Sequence, residues 1–114
     1  MAHYYDISLK NTRRVEAREV RLNGLLLAGL HAIREPGRLE FVTVSSADGA
    51  DRGLIGGFKS MTGIDTELEV IDPASPGLRR RLTGRVASAI THQAEPSTRT
   101  GEYETVTFIF NKID

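Results

Sequence analysis

The residues whose types invite a chemical role are three histidines, four aspartates near turns, a glycine cluster and two arginine runs. His3, His31 and His92 lie in three separate segments, with no i,i+4 spacing and no neighbouring ligand pattern, so they do not compose a metal site. Asp48, Asp51, Asp65 and Asp72 could supply a carboxylate pair for acid–base work. Each falls where a turn or a helix cap calls for Asp anyway. The chain holds no cysteine, which excludes disulfides, thiolate metal sites and cysteine nucleophiles. It also lacks a His-Glu-x-x-His helix, a Gly-x-Ser-x-Gly elbow and a phosphate-binding loop. Gly53-Leu54-Ile55-Gly56-Gly57 has the spacing of neither nucleotide fingerprint and reads as a place of close backbone packing. Arg79-Arg80-Arg81 could meet phosphate. A solvated face, or ion pairs between chains with the many Glu side chains, is the favoured reading. On these grounds the chain is expected not to be an enzyme and to need no cofactor and no metal.

The elements that must carry these residues are mostly strands. A chain of 114 residues is the size of one domain, here expected over 1–114, and is long enough to bury a core. Tyr5, Ile7 and Leu9 alternate with polar residues, as do Val20 and Leu22 further on. Val15 to Leu22 contain another alternating run, and Asn11 to Ala17 is expected to form the turn or protruding loop before it. Asn23-Gly24 is the strongest hairpin signal, because both residues accept positive φ. Leu39–Val44 reads as a strand, and from Arg52 the period changes to helical, with Leu54, Ile55, Phe58 and Met61 on the packing face and Gly63 as the stop.

Strand character returns at Leu68 and Val70, then over Leu82–Ile90 with Val86, Ser88 and Ile90 on one face. Thr91 to Gly101 is expected to be a long exposed loop. The last strand is the clearest, with Val106, Phe108 and Phe110 facing one way and Thr105, Thr107 and Ile109 the other. The expected fold class is mainly β: a small β-barrel or sandwich of about seven strands with one short α-helix. Few prolines or inward charges guard the strand edges, so chains are expected to associate edge to edge. Fifteen basic and fifteen acidic residues leave no net charge, which argues against a generic nucleic-acid binder and leaves self-association unopposed. Without an apolar leader or a ~20-residue apolar span, the chain is expected to be made in the cytosol with no membrane span.

The order of elements in the second half resembles a specific family. Leu39–Val44, a helix ending in Met61-Thr62-Gly63, Thr66–Ile71, Arg85–Ile90 and Glu104-Thr105-Val106-Thr107-Phe108-Ile109-Phe110-Asn111-Lys112-Ile113 resemble the haemolysin-coregulated protein (Hcp) family. That family forms the inner tube of type VI secretion systems, with a fold shared by phage tail tubes. Tyr5-Asp6-Ile7-Ser8-Leu9-Lys10 is similar to its first strand. The resemblance implies a structural subunit that forms hexameric rings stacked into the hollow tube of a contractile injection system, type VI or phage-like. Its lumen would be a conduit for effector proteins or DNA. The implied partners are further copies of the chain and sheath, baseplate or spike proteins. The implied locations are the cytoplasm before ejection or secretion, or a virion tail. Asn11, Thr12, Arg13 and Arg14 are then candidates for contacts between rings, and Val106, Phe108 and Phe110 mark the candidate edge or closing strand. The alternative reading is a small β-barrel binding module for nucleic acid or protein.

Overall fold

The computed structural model describes residues 4–9, 14–44, 58–75, 77–92 and 103–114. Seven strands follow one another: β1 (Tyr4–Leu9), β2 (Val15–Leu22), β3 (Leu25–Leu26), β4 (Gly37–Val44), β5 (Asp65–Ile71), β6 (Arg79–His92) and β7 (Tyr103–Ile113). All their pairings are antiparallel, in the order β1-β5-β6-β7-β4-β2-β3, and β1 also pairs with β2. That last pairing closes six strands into a barrel and leaves β3 as an extra strand on the wall. The mainly β barrel expected from periodicity is the fold observed.

The interior is filled by one phase of each strand, as in other small closed barrels. Tyr5, Ile7 and Leu9 of β1, Leu68 and Val70 of β5, and Leu39 and Phe41 of β4 all lie in the core. β7 runs along the middle of the sheet between β6 and β4, with Val106, Phe108 and Phe110 buried. The strand of Val106, Phe108 and Phe110, expected as an edge or closing strand, is paired on both sides.

Three strands carry bulges, where one extra residue re-aims the side chains: β2, β6 and, at Asn111, β7. In β2 the register shifts between Arg18 and Arg21, with Glu19 at φ 52°. Val15 and Ala17 are buried before the shift and Val20 after it. The loop expected over 11–17 is corrected accordingly: Val15 to Ala17 belong to the wall, because the apolar side chains of Val15 and Ala17 fill the barrel. In β6 the register shifts between Val86 and Ser88. Val86 and Ala89 are buried, whereas Ile90 stands 56% exposed. The single face expected for Val86, Ser88 and Ile90 is thus broken by the residue inserted at Ala87. β6 also runs on through Thr91 and His92, a correction to the loop expected from Thr91 onward.

Turn chemistry fixes the hairpins. Asn23 takes φ 51° and Gly24 takes φ 88°. Positive φ at both positions is what a two-residue hairpin needs, and Leu22 pairs with Leu25 across it. The Asn23 N–H donates to the Arg38 carbonyl at 2.8 Å, and its Oδ1 accepts from the Arg38 N–H at 2.9 Å. Asp72 Oδ1 accepts from the Ala74 N–H at 3.0 Å, which closes the turn after β5.

The helix predicted from Arg52 to Gly63 is described only from Phe58, with a helical turn at 58–60. Leu54 and Ile55 lie outside the described residues. Gly63 has φ 81° and donates its N–H to the Val86 carbonyl at 2.9 Å. It therefore stops the turn and ties it to β6.

Candidate functional site

The residues that invited a catalytic reading are spread over separate elements. His31 is exposed on a single 3-10 turn at Leu30–Ala32, and His92 stacks on Tyr103 with ring centroids 4.7 Å apart. His3, Asp48 and Asp51 lie outside the described residues. Asp65 opens β5 and Asp72 follows its far end, so they form no carboxylate pair. Asp65 instead meets Arg85 at 4.0 Å. Among the described residues, no group of three or more His, Asp or Glu side chains could hold a metal ion.

The arginine run is partly neutralised locally. Side chains alternate along β6, so Arg79 and Arg81 emerge on one face. Both reach Glu69 of β5, Arg79 at 3.6 Å and Arg81 at 3.8 Å. Arg79 and Arg81 are about half exposed, so these pairs contribute little to stability, and the single carboxylate offsets only part of the positive charge a phosphate would meet. The ion pairs with Glu side chains expected between chains lie, for Arg79 and Arg81 with Glu69, within the chain instead.

Among the described residues, two clefts open on the outer wall. One of about 220 Å³ is lined by Asp65, Thr83, Gly84, Arg85, Ile109, Phe110 and Asn111, at the register shift between Thr83 and Gly84. The other, of about 150 Å³, lies at the β2 bulge beside Glu19, Arg21, Glu40 and Val42. Both fall short of the roughly 300–1,000 Å³ of small-molecule sites.

The inner face holds two polar features. Glu104 is completely buried near the start of β7, on the same inward phase as Val106 and Phe108, and pairs in register with the buried Thr43. Continuing the β7 alternation by one step toward its start would have found Glu104. Tyr5 is buried in β1, and its hydroxyl donates to the Leu27 carbonyl at 3.5 Å. Burial, reinforced by the negative charge of Asp72, raises the Tyr5 pKa above its ordinary value of 10.0.

The predicted packing residues Phe58 and Met61 do meet the barrel. Phe58 is buried edge-on against Phe41, with centroids 5.6 Å apart, and Met61 packs against the same core. Of the predicted inter-ring loop, Asn11, Thr12 and Arg13 lie outside the described residues, and Arg14 is exposed just before β2.

What remains without a role inside the barrel is apolar surface. Leu25 is 75% exposed and Leu26 63%, so both faces of the two-residue β3 project beyond the wall. Ile90 and Ile109 stand out elsewhere, on β6 and β7. Hydropathy alone gives no hint of this exposure. Among the described residues, no helix is long and apolar enough to cross a membrane. Compared with family models, curated proteins and solved structures, the chain finds no match in any of the three.

Proposed function

We propose that this chain is a structural subunit of a hollow tube, assembling into six-membered rings that stack as in contractile injection systems. The observation that carries the reading is a closed barrel with its interior full of side chains and apolar side chains left standing outside it. The adjacent exposed Leu25 and Leu26 offer apolar surface to a protein partner. The absence of net charge lets that partner be another copy. The order strand, helical turn and three strands over residues 37–113 also supports the resemblance drawn from the sequence. Because the barrel core is packed, a conduit for effector or DNA would lie between protomers and not through one of them.

No catalytic step belongs to this reading, and the chain is proposed to act as a non-enzyme. The small barrel would also suit a nucleic-acid or protein-binding module, but Glu69 draws Arg79 and Arg81 away from that role. Static light scattering and negative-stain electron microscopy of the purified chain test the proposal. Rings or stacked tubes are expected. A strict monomer at high concentration, or salt-sensitive oligonucleotide binding lost on replacing Arg79, Arg80 and Arg81 with Ala, would overturn it.

A further inference from the structure

The larger outer-wall cleft, of about 220 Å³, is lined by described residues alone, and its origin is local. Gly84 faces Phe110 and Thr83 faces Lys112, so Asn111 is the extra residue on β7 and the ladder opens beside it. Gly84 lets the two backbones close up beneath the opening, since a Cβ there would stand 2.0 Å from the Ile109 carbonyl oxygen. A glycine inside a strand marks such a close approach, and bulges are over-represented beside active sites.

The rim of the opening is chemically mixed. Asp65 and Arg85 stand directly opposite each other across β5 and β6, with Oδ1 and Nε 4.0 Å apart. That separation is longer than those of Glu69 from Arg79 and Arg81, and both side chains are mostly exposed where Glu69 is half-buried. A pair this loose leaves a carboxylate oxygen and several guanidinium N–H groups able to turn to a ligand. Thr83 and Asn111 add a hydroxyl and an amide, each able to donate and accept. Ile109, half exposed, supplies an apolar wall.

These groups narrow the ligand. An anion alone would meet the Asp65 carboxylate, and a cation alone would meet the Arg85 guanidinium. A molecule that carries both charges a few bonds apart satisfies the two at once. The cleft is too small for a drug-sized molecule and has the size of one amino acid. We propose that this cleft binds a free, zwitterionic amino acid with a small apolar side chain. Its ammonium group donates to Asp65, its carboxylate accepts from Arg85, and its side chain lies along Ile109. The site needs only one protomer, so it stands independently of the ring reading.

Equilibrium dialysis of the full chain against radiolabelled L-valine tests the site, and it reads binding in a monomer and in an assembly alike. Saturable binding with a Kd of about 1 mM is expected. In competition, unlabelled N-acetylvaline and valinamide should each bind about tenfold more weakly than valine, through loss of one charged hydrogen bond. Asp65→Asn and Arg85→Gln should weaken valine binding to a similar extent. Both positions are mostly exposed, so circular dichroism should show an unchanged fold. Absence of saturable binding would overturn the proposal. So would equal competition by valine and its two blocked forms, or undiminished binding in the two variants.

Discussion

β7 and the β2–β3 hairpin are both rich in apolar residues and opposite in fate. β7 is flanked by β6 and β4, so Val106, Phe108 and Phe110 each meet a filled interior and are buried. Among the described residues β3 has one neighbouring strand; it is two residues long, and both of its leucines face solvent. What holds the hairpin is its turn: Asn23 bonds twice to Arg38, and the Leu27 N–H donates to the Val20 carbonyl at 2.8 Å. An apolar strand inside the wall is thus committed to folding, while one held beyond it by turn chemistry stays free to meet another chain.

The largest blow to this contrast falls on β7. Phe108 is a fully buried ring in the middle of the barrel. Phe108→Ala should cost about 3–5 kcal/mol, read by urea denaturation. A loss under about 1 kcal/mol would mean that the interior collapses around the gap and that β7 is not the organising strand. Gly84→Val attacks the same region from the backbone. A Cβ there would stand 2.0 Å from the Ile109 carbonyl oxygen and 2.5 Å from the Phe110 Cα, and neither is a flexible side-chain end. The β6–β7 ladder must shift, at a cost of about 1–3 kcal/mol or more by the usual scale of overpacking. Wild-type stability in that variant would show that the close approach is not required.

These costs explain which parts of the fold could be read from residues alone. The inward phase of β7 was legible because three large apolar side chains alternate without interruption. The Asn23-Gly24 hairpin was legible because its chemistry is local. The β6 phase change was not, since Ala87 is an ordinary small residue and nothing in its type marks it as the extra one. Closure through β1–β2 depends on partners from Tyr4↔Arg18 to Ile7↔Val15, a pairing that periodicity does not encode. The candidate site was the least legible, because the exposure of Leu25 and Leu26 follows from where the wall ends and not from their types.

A milder probe titrates the seam between the barrel and the base of the hairpin. Tyr5 is neutral in the core and donates to the Leu27 carbonyl, with its pKa raised by burial and by Asp72. A raised folded-state pKa means that the neutral form is the one folding favours. Its contribution is full below about 10, the unfolded value, and is lost as pH rises through the higher folded value. Denaturation midpoints should therefore fall above about pH 10 for the wild type, and Tyr5→Phe should flatten that fall. An identical alkaline slope in both proteins would show that another group governs it.

The smallest effect on folding is expected at the hairpin, and it is the most diagnostic for that reason. Leu25→Ser and Leu26→Ser replace side chains that already stand mostly in solvent. Stability should therefore stay within about 0.5 kcal/mol of wild type. A strand that supports only itself can lose its apolar surface with no further consequence. One that meets a neighbouring copy cannot, because the desolvated contact disappears while the monomer is untouched. Sedimentation velocity on the double variant should then show smaller species at concentrations where the wild type assembles, with unchanged denaturation curves. If stability falls by more than about 1 kcal/mol instead, the leucines are working for the barrel. The contrast between wall and hairpin would then dissolve, and the assembly surface would have to be sought at Ile90 and Ile109.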